Sequence, residues 1–111
     1  MELNGVNQHV MLCNGKSCTK NGADEVTEAI RNEIKSLGLA QKIHTTKTLC
    51  NGQCKRGPTV IAYPEGVWYK HMTADSGRQL VQRLQKEEQL DEHISYTHNG
   101  TSFHPYNDQG E

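Results

Sequence analysis

The sequence predicts one small α/β domain, built on a four-stranded mixed sheet in the order βαβββα. Two short β-type runs, residues 9–12 and 42–49, each lead into a pair of cysteines, and a helical periodicity separates them. Two further β-prone runs flank a Pro-Glu-Gly turn, as in a hairpin. A second helical stripe follows the hairpin. We therefore expect two main helices packed on the sheet.

The first half of the chain predicts a βαβ unit. Apolar residues recur at helical spacing from Ala23 to Leu37, acidic residues occupy the first turns, and Gly38 stands just past the end. The segment KIHTTKTL at 42–49 is rich in β-branched residues, which favours a strand. Because such crossovers are right-handed, strands one and two are expected to be parallel and adjacent or nearly so.

The second half predicts a hairpin and a helix. The runs TVIAY and VWYKHM flank a turn at residues 64–66. A helix from about Asp75 to Leu90 follows, with Thr73 or Asp75 as its N-cap. Its apolar stripe consists of Leu80, Val81, Leu84 and Leu90. With the hairpin antiparallel, the order of elements matches a thioredoxin-like arrangement.

Composition limits the classes of function. The chain has 111 residues, of which 33% are hydrophobic and 5% aromatic, enough for a single modest core. A net charge of -1 disfavours nucleic acid as a partner. Since the sequence contains no long apolar run and opens without a basic, apolar leader, we expect a cytoplasmic protein that does not enter membranes.

The end of the chain differs from the rest. Residues 91–111 contain Asp91, Glu92, Asp108 and Glu111 but no Lys or Arg. The stretch from about residue 97 is also strongly polar. We therefore expect a domain over residues 1–96, followed by a flexible acidic tail over 97–111.

Four cysteines form two pairs, Cys13 with Cys18 and Cys50 with Cys54. Both loops follow the carboxyl ends of the predicted parallel strands, so they should meet at one edge of the sheet. Four thiolates there could bind an iron–sulfur cluster or zinc, or could pair as disulfides. Neither pair has the C-x-x-C spacing of a dithiol enzyme or a typical zinc knuckle. Disulfides are disfavoured in a cytoplasmic chain, which leaves metal binding as the favoured use.

The residues around the second cysteine pair form a specific pattern. The segment CNGQCKRGP places Gly52 inside the loop and Gly-Pro after it, and Gly15 occupies the first loop. Glycines let the backbone approach an inorganic core, with amide groups directed at sulfur. The pattern resembles the thioredoxin-like 2Fe-2S ferredoxins, and it is similar to the small 2Fe-2S subunit of complex I type NADH dehydrogenases. The segment TVIAYPEGVWYKHMT also looks like that family's hairpin and helix entry, so the resemblance covers roughly residues 8 to 94.

The resemblance implies that Cys13, Cys18, Cys50 and Cys54 hold one 2Fe-2S cluster, each loop binding one iron. A cluster with four thiolates carries one electron and leaves no open position for a substrate. The expected function is thus a one-electron carrier rather than an enzyme. Two alternatives stay open: a cluster-bearing accessory or redox-sensing subunit of a larger enzyme, and a four-cysteine zinc module with a structural role.

Partners are predicted from charge and from the thin core. Basic residues surround the cysteine loops and acidic ones are absent from them, so redox partner proteins, a reductase and an acceptor enzyme, could dock there. The basic residues concerned are Lys16, Lys20, Lys47, Lys55 and Arg56. The exposed hairpin edge and the family resemblance also suggest a homodimer.

Overall fold

The computed structural model describes residues 3–106, except for the side chain of Cys54. It contains six strands, three α-helices and two short 3-10 turns. In chain order these are β1 (Gln8–Cys13), α1 (Lys16–Lys20), α2 (Ala23–Ser36), β2 (Ile43–Thr48), a 3-10 turn (Cys54–Arg56), β3 (Val60–Tyr63), β4 (Val67–Tyr69), α3 (Ala74–Gln85), a 3-10 turn (Asp91–His93), β5 (Ile94–His98) and β6 (Phe103–Pro105).

The sheet is mixed, and its strand order is β2-β1-β3-β4-β5-β6. β1 and β2 are parallel neighbours, with Cys13 opposite Thr48 at their carboxyl ends. All other pairs are antiparallel. The predicted α/β class and the parallel pairing of the first two strands are therefore confirmed. The helices α2 and α3 match the two main helices of the prediction, although the sheet has six strands rather than four.

The hydrophobic core lies between one face of the sheet and the helices α2 and α3. On β1, Val10 and Leu12 face this core because alternate residues of a strand point to the same side. From the helices, Ile30 of α2 and Leu80 of α3 are fully buried. Gly77 lets the two helices approach closely, since a methyl group there would lie 3.0 Å from the Cγ1 atom of Ile30.

Helix α3 begins as predicted and ends early. Thr73 is its N-cap, and the hydroxyl of Thr73 accepts a hydrogen bond from the backbone N–H of Ser76 at 3.1 Å. The helix stops at Gln85, five residues before the predicted end at Leu90. Leu90 is nevertheless completely buried, because it joins the core from the connection that follows the helix.

The largest correction concerns the segment that was expected to be a flexible tail. Residues 97–105 complete β5 and form β6, with Thr97 opposite His104 in the antiparallel pair. The side chain of Asn99 closes the turn between them by accepting hydrogen bonds from the N–H groups of Thr101 and Ser102, both at 2.9 Å. Residues 107–111 of the predicted tail lie outside the described residues.

Two smaller differences affect the first half. The residues after Cys13 form the short helix α1, where only a loop was expected. β2 ends at Thr48 instead of Leu49. Among residues 3–106, no helix has both the length and the apolar character to cross a bilayer.

Candidate metal centre

The first cysteine pair is held at the end of β1 and in α1. Cys13 is the last residue of β1, and its backbone N–H donates to the Thr59 carbonyl at 3.1 Å. Cys18 lies within the short helix α1, and the side chains of both cysteines are buried. The thiol of Cys18 donates to the sulfur of Cys13, with 3.2 Å between the two Sγ atoms. The structure thus places two sulfur donors side by side.

The second pair follows β2. Cys50 comes two residues after the strand and is exposed, whereas Cys54 opens a 3-10 turn that ends at Arg56. The backbone N–H of Gly52 donates to the Cys50 sulfur at 3.3 Å. Gly52 has a φ of +81°, a left-handed conformation that favours glycine. This confirms the expectation that a glycine in the loop directs an amide group at a cysteine sulfur.

The two cysteine loops are in direct contact through glycine. A methyl group on Gly15 would lie 2.9 Å from the Cα atom of Cys50, a distance that allows no side chain. A methyl group on Gly57 would lie 2.8 Å from the sulfur of Cys18. The first loop therefore packs on the backbone of Cys50, and the residue after the 3-10 turn packs on Cys18. Both contacts hold the first cysteine pair against the segment that carries the second pair.

Hydrogen bonds set the electrostatics of Cys13. Burial alone would raise the pKa of its thiol, but hydrogen bonds from the Gly15 backbone, the Cys18 thiol and Asn51 outweigh it. The net effect holds the pKa of Cys13 below its usual value. A lowered pKa favours the thiolate, which is the form that binds a metal. Asn51 belongs to the second loop, so the two loops are also linked by polar contacts.

Three of the four candidate ligands, Cys13, Cys18 and Cys50, have described side chains, and these three form no disulfide with one another. Within the described side chains, which leave out Cys54, no group of three or more His, Cys, Asp or Glu lies close enough to hold a metal ion. Of the histidines, His9 and His44 come together on β1 and β2, with ring centroids 5.0 Å apart. They lie towards the opposite end of these strands from Cys13 and Thr48.

Comparison with known proteins decides the family. The family model of the thioredoxin-like [2Fe-2S] ferredoxins matches residues 3–85, a range that contains all four cysteines. The chain belongs to this family. The match confirms the resemblance that the cysteine motifs indicated, and it ends before the strands β5 and β6.

Relatives of this ferredoxin family are similar along most of the chain. One is "Putative 2Fe-2S ferredoxin" of Priestia megaterium, 48% identical over 80 residues, which cover 72% of this chain but only 62% of that protein. Another is "Ferredoxin, 2Fe-2S" of Clostridium pasteurianum, 35% identical over 82 residues, covering 67% of this chain and 80% of the relative. The chain therefore spans less than two thirds of the first relative's length.

A solved structure of the family confirms the thioredoxin-like fold. The thioredoxin-like [2Fe-2S] ferredoxin of Aquifex aeolicus superposes with a TM-score of 0.77 at 25% sequence identity. The superposition covers 87% of this chain and 96% of that one. The wild-type protein at 1.5 Å resolution gives a TM-score of 0.73 at 26% identity, with 80% and 96% coverage.

The basic residues predicted around the ferredoxin motif are all exposed, namely Lys16, Lys20, Lys47, Lys55 and Arg56. Arg56 differs from the lysines because it is held in place. Its guanidinium group stacks over the ring of Tyr96 at 5.4 Å and donates to the Gln53 side-chain oxygen at 3.1 Å. Arg56 therefore links the second cysteine loop to β5.

The sequence analysis missed two residues of the site, and it missed the exposure of a leucine beside it. Asn51 reaches across to Cys13, Gly57 leaves room for the sulfur of Cys18, and Leu49 stands exposed beside Cys50. Only Gly57 had a signal in the sequence, as part of the Gly-Pro pair after the last cysteine. The other two depend on how the loops fold against each other, which no local pattern encodes.

Proposed function

We propose that Cys13, Cys18, Cys50 and Cys54 together hold one 2Fe-2S cluster. The observation that carries this proposal is the contact of the two cysteine loops, in which Gly15 packs against the backbone of Cys50. At the same junction, Asn51 of the second loop hydrogen-bonds to Cys13, so the cysteines of the two loops lie at one place. Family membership supports the same ligand set, since the matched range contains all four cysteines.

The residues present fit such a group. Cysteine thiolates are the usual ligands of this cluster, and the lowered pKa of Cys13 favours that form. The N–H of Gly52 already donates to a cysteine sulfur, which would stabilise the negative charge of a bound cluster. We assign Cys13 and Cys18 to one iron and Cys50 and Cys54 to the other, because the first two sulfurs lie only 3.2 Å apart.

We propose that the protein is a one-electron carrier with no substrate turnover of its own. When bound, the cluster accepts and releases single electrons, and four thiolates leave no coordination position for a substrate. The chain's role is to bind it, to direct amide groups such as that of Gly52 at sulfur, and to present Cys50 at the surface. The printed names of the relatives, 2Fe-2S ferredoxins, agree with this role.

The partners we propose are redox proteins with an acidic docking face, which the exposed lysines around the site would attract. Reversing the charge of Lys55 should slow reduction by an acidic flavoprotein reductase, most strongly at low salt. Lys35, on α2, gives a matched control, because the same reversal there changes net charge away from the cysteine loops. Equal effects of both reversals, or none at any salt, would contradict docking on these lysines.

We also propose a homodimer in the cytoplasm. A reducing compartment would keep cysteine thiols available as ligands, and the described cysteines, Cys13, Cys18 and Cys50, form no disulfide with one another. An apolar hollow of about 160 Å³ between Trp68, Tyr96 and Phe103 could receive a second copy. Sedimentation of the wild type and of a Phe103→Ser variant tests this. A wild type that stays monomeric at every concentration would contradict the dimer.

The ligand set is tested by removing one donor. Cys54→Ala should abolish or strongly destabilise the cluster, which would be seen as loss of visible absorption and a lower melting temperature. Thr19→Ser, an exposed position on α1 next to Cys18, is the control and should leave both unchanged. A Cys54→Ala protein with the spectrum and melting temperature of the wild type would refute the assignment.

A further inference from the structure

Leu49 is exposed at a place where the fold has no use for an apolar side chain. It follows the last residue of β2, immediately precedes Cys50, and is 83% exposed. Among residues 3–106, only two other large apolar residues are exposed, Leu3 at 59% and Phe103 at 43%. A single exposed leucine is ordinary on a protein surface, but this one immediately precedes Cys50, a candidate ligand that is itself exposed, and so lies where a partner would approach the site.

The backbone holds Leu49 in a defined position. Its carbonyl accepts a hydrogen bond from the Thr48 hydroxyl at 2.9 Å. The side-chain amide of Asn51 also reaches this carbonyl, at 3.4 Å. Thr48 and Asn51 therefore fix the backbone at Leu49 while its side chain stands in solvent. Little backbone ordering is therefore needed at Leu49 when a partner covers its side chain.

Exposed lysines lie close to this leucine along the chain and in the loop that packs on Cys50. Lys47 is exposed two residues earlier on β2, and Lys16 is exposed directly after Gly15, which packs on Cys50. On the side of α2, the carboxylates of Asp24 and Glu28 share a shallow groove with Lys47. The cysteine loops themselves contain no Asp or Glu, so no carboxylate within them offsets the charge of the lysines on that side. An apolar centre with cations beside it is complementary to an apolar depression bordered by carboxylates.

We propose that Leu49 is the apolar anchor on which an electron-exchange partner docks, and that this partner presents an apolar depression rimmed by acidic residues. The inference rests on the proposed function, because it takes the cysteine loops as the place where electrons leave. Exposed Cys50 adjoins the anchor, so a partner seated on Leu49 would be brought against the proposed cluster. Transient redox complexes have small interfaces, in which one buried anchor contributes much of the binding.

The test follows one electron leaving the protein. The wild type is reduced with dithionite, freed of excess reductant, and mixed with an acidic c-type cytochrome. Ferric haem becomes ferrous as the protein loses one electron, and no atom is transferred. Leu49→Ser is compared with Leu3→Ser, a matched control that precedes β1 at the opposite end from Cys13. Ferricyanide, a small oxidant, measures electron release without protein docking.

We expect Leu49→Ser to slow oxidation by the acidic cytochrome about fivefold or more at limiting concentration. Oxidation by ferricyanide, the visible spectrum and the behaviour of Leu3→Ser should match the wild type. Leu49→Asn, which keeps the side chain's size and shape but not its apolar character, should behave like Leu49→Ser.

Four results would overturn the proposal. One is a Leu49→Ser variant that reacts with the cytochrome as fast as the wild type. Another is a variant slowed equally with ferricyanide, because the leucine would then act on the site itself. Conversion of a homodimer to monomers by Leu49→Ser would show that a second copy covers this residue. A wild type that cannot be reduced and reoxidised would overturn the proposed function, and with it the docking role.

Discussion

Gly57→Ala is the most informative single change at the site, because it adds one methyl group directly against a proposed ligand. The new Cβ would lie 2.8 Å from the Cys18 sulfur, whereas ordinary contacts between heavy atoms are about 3.5–4.0 Å. The sulfur or the loop must therefore move by about 1 Å. Backbone strain is not involved, since Gly57 has φ -70° and ψ 159°, a conformation open to any residue.

The expected cost follows from the size of this clash. Overpacking of this kind destabilises a protein by about 1–3 kcal/mol. In a domain of this size, that corresponds to a melting temperature lower by about 4–12 °C. Because the displaced atom is the Cys18 sulfur, we also expect weaker cluster binding, measured as faster loss of visible absorption when an iron chelator is added.

The control is a clash of similar kind away from the cysteines. In Gly77→Ala, the added methyl group would lie 3.0 Å from Ile30 in the core between α2 and α3. This variant should change the melting temperature but not the rate of absorption loss. A Gly57→Ala protein that releases iron as slowly as the wild type would refute the reasoning that Gly57 makes room for a ligand sulfur.

Two further predictions concern the rest of the fold. Thr73→Ala removes the N-cap of α3 and the hydrogen bond that its hydroxyl accepts from the Ser76 N–H. The free energy of unfolding, measured in urea, should fall by about 1 kcal/mol while the visible spectrum is unchanged. An unaltered urea midpoint would contradict the capping role. Burial, and secondly the charge of His44, lowers the pKa of His9, so the folded protein binds fewer protons there than the unfolded chain. The contribution of His9 to the free energy of unfolding should be full above about pH 6.5 and should decrease as the pH falls below that value. His9→Gln should therefore flatten the pH dependence of the free energy of unfolding. Identical pH profiles of the variant and the wild type would contradict this role of His9.

The elements near the cysteines were predictable because their signals are local. The periodicity of residues 23–37 predicts α2, and the β-branched run before Cys50 predicts β2. Because β1 and β2 are parallel neighbours joined by a helix, the two cysteine loops that follow them must emerge at one edge of the sheet. The spacing and the glycines then indicate the kind of site.

The strands β5 and β6 were missed because their pairing depends on the sheet already present. β6 has three residues, all exposed, and one of them is Pro105. Such a strand has almost no apolar pattern, and proline is tolerated there because this is an edge strand. The pair Asn99-Gly100 did carry a hairpin signal, yet the polar composition around it favoured a tail.

Within the site, the missed residues act across the chain rather than along it. Asn51 contacts Cys13, and Gly57 contacts Cys18, at separations that no local motif covers. The exposure of Leu49 likewise follows from where β2 ends, one residue earlier than its apolar character suggested. These features arise from the packing of one loop on another.

The central claim, a redox-active 2Fe-2S cluster on four cysteines, is tested most directly by one measurement on protein purified without oxygen. Iron, acid-labile sulfide and zinc are determined per chain, and the visible spectrum is recorded before and after dithionite. We predict a red-brown protein with two irons and two sulfides per chain, whose charge-transfer bands bleach partially on reduction. A colourless protein with one zinc per chain, obtained after expression with ample iron, would contradict the account and favour a structural module.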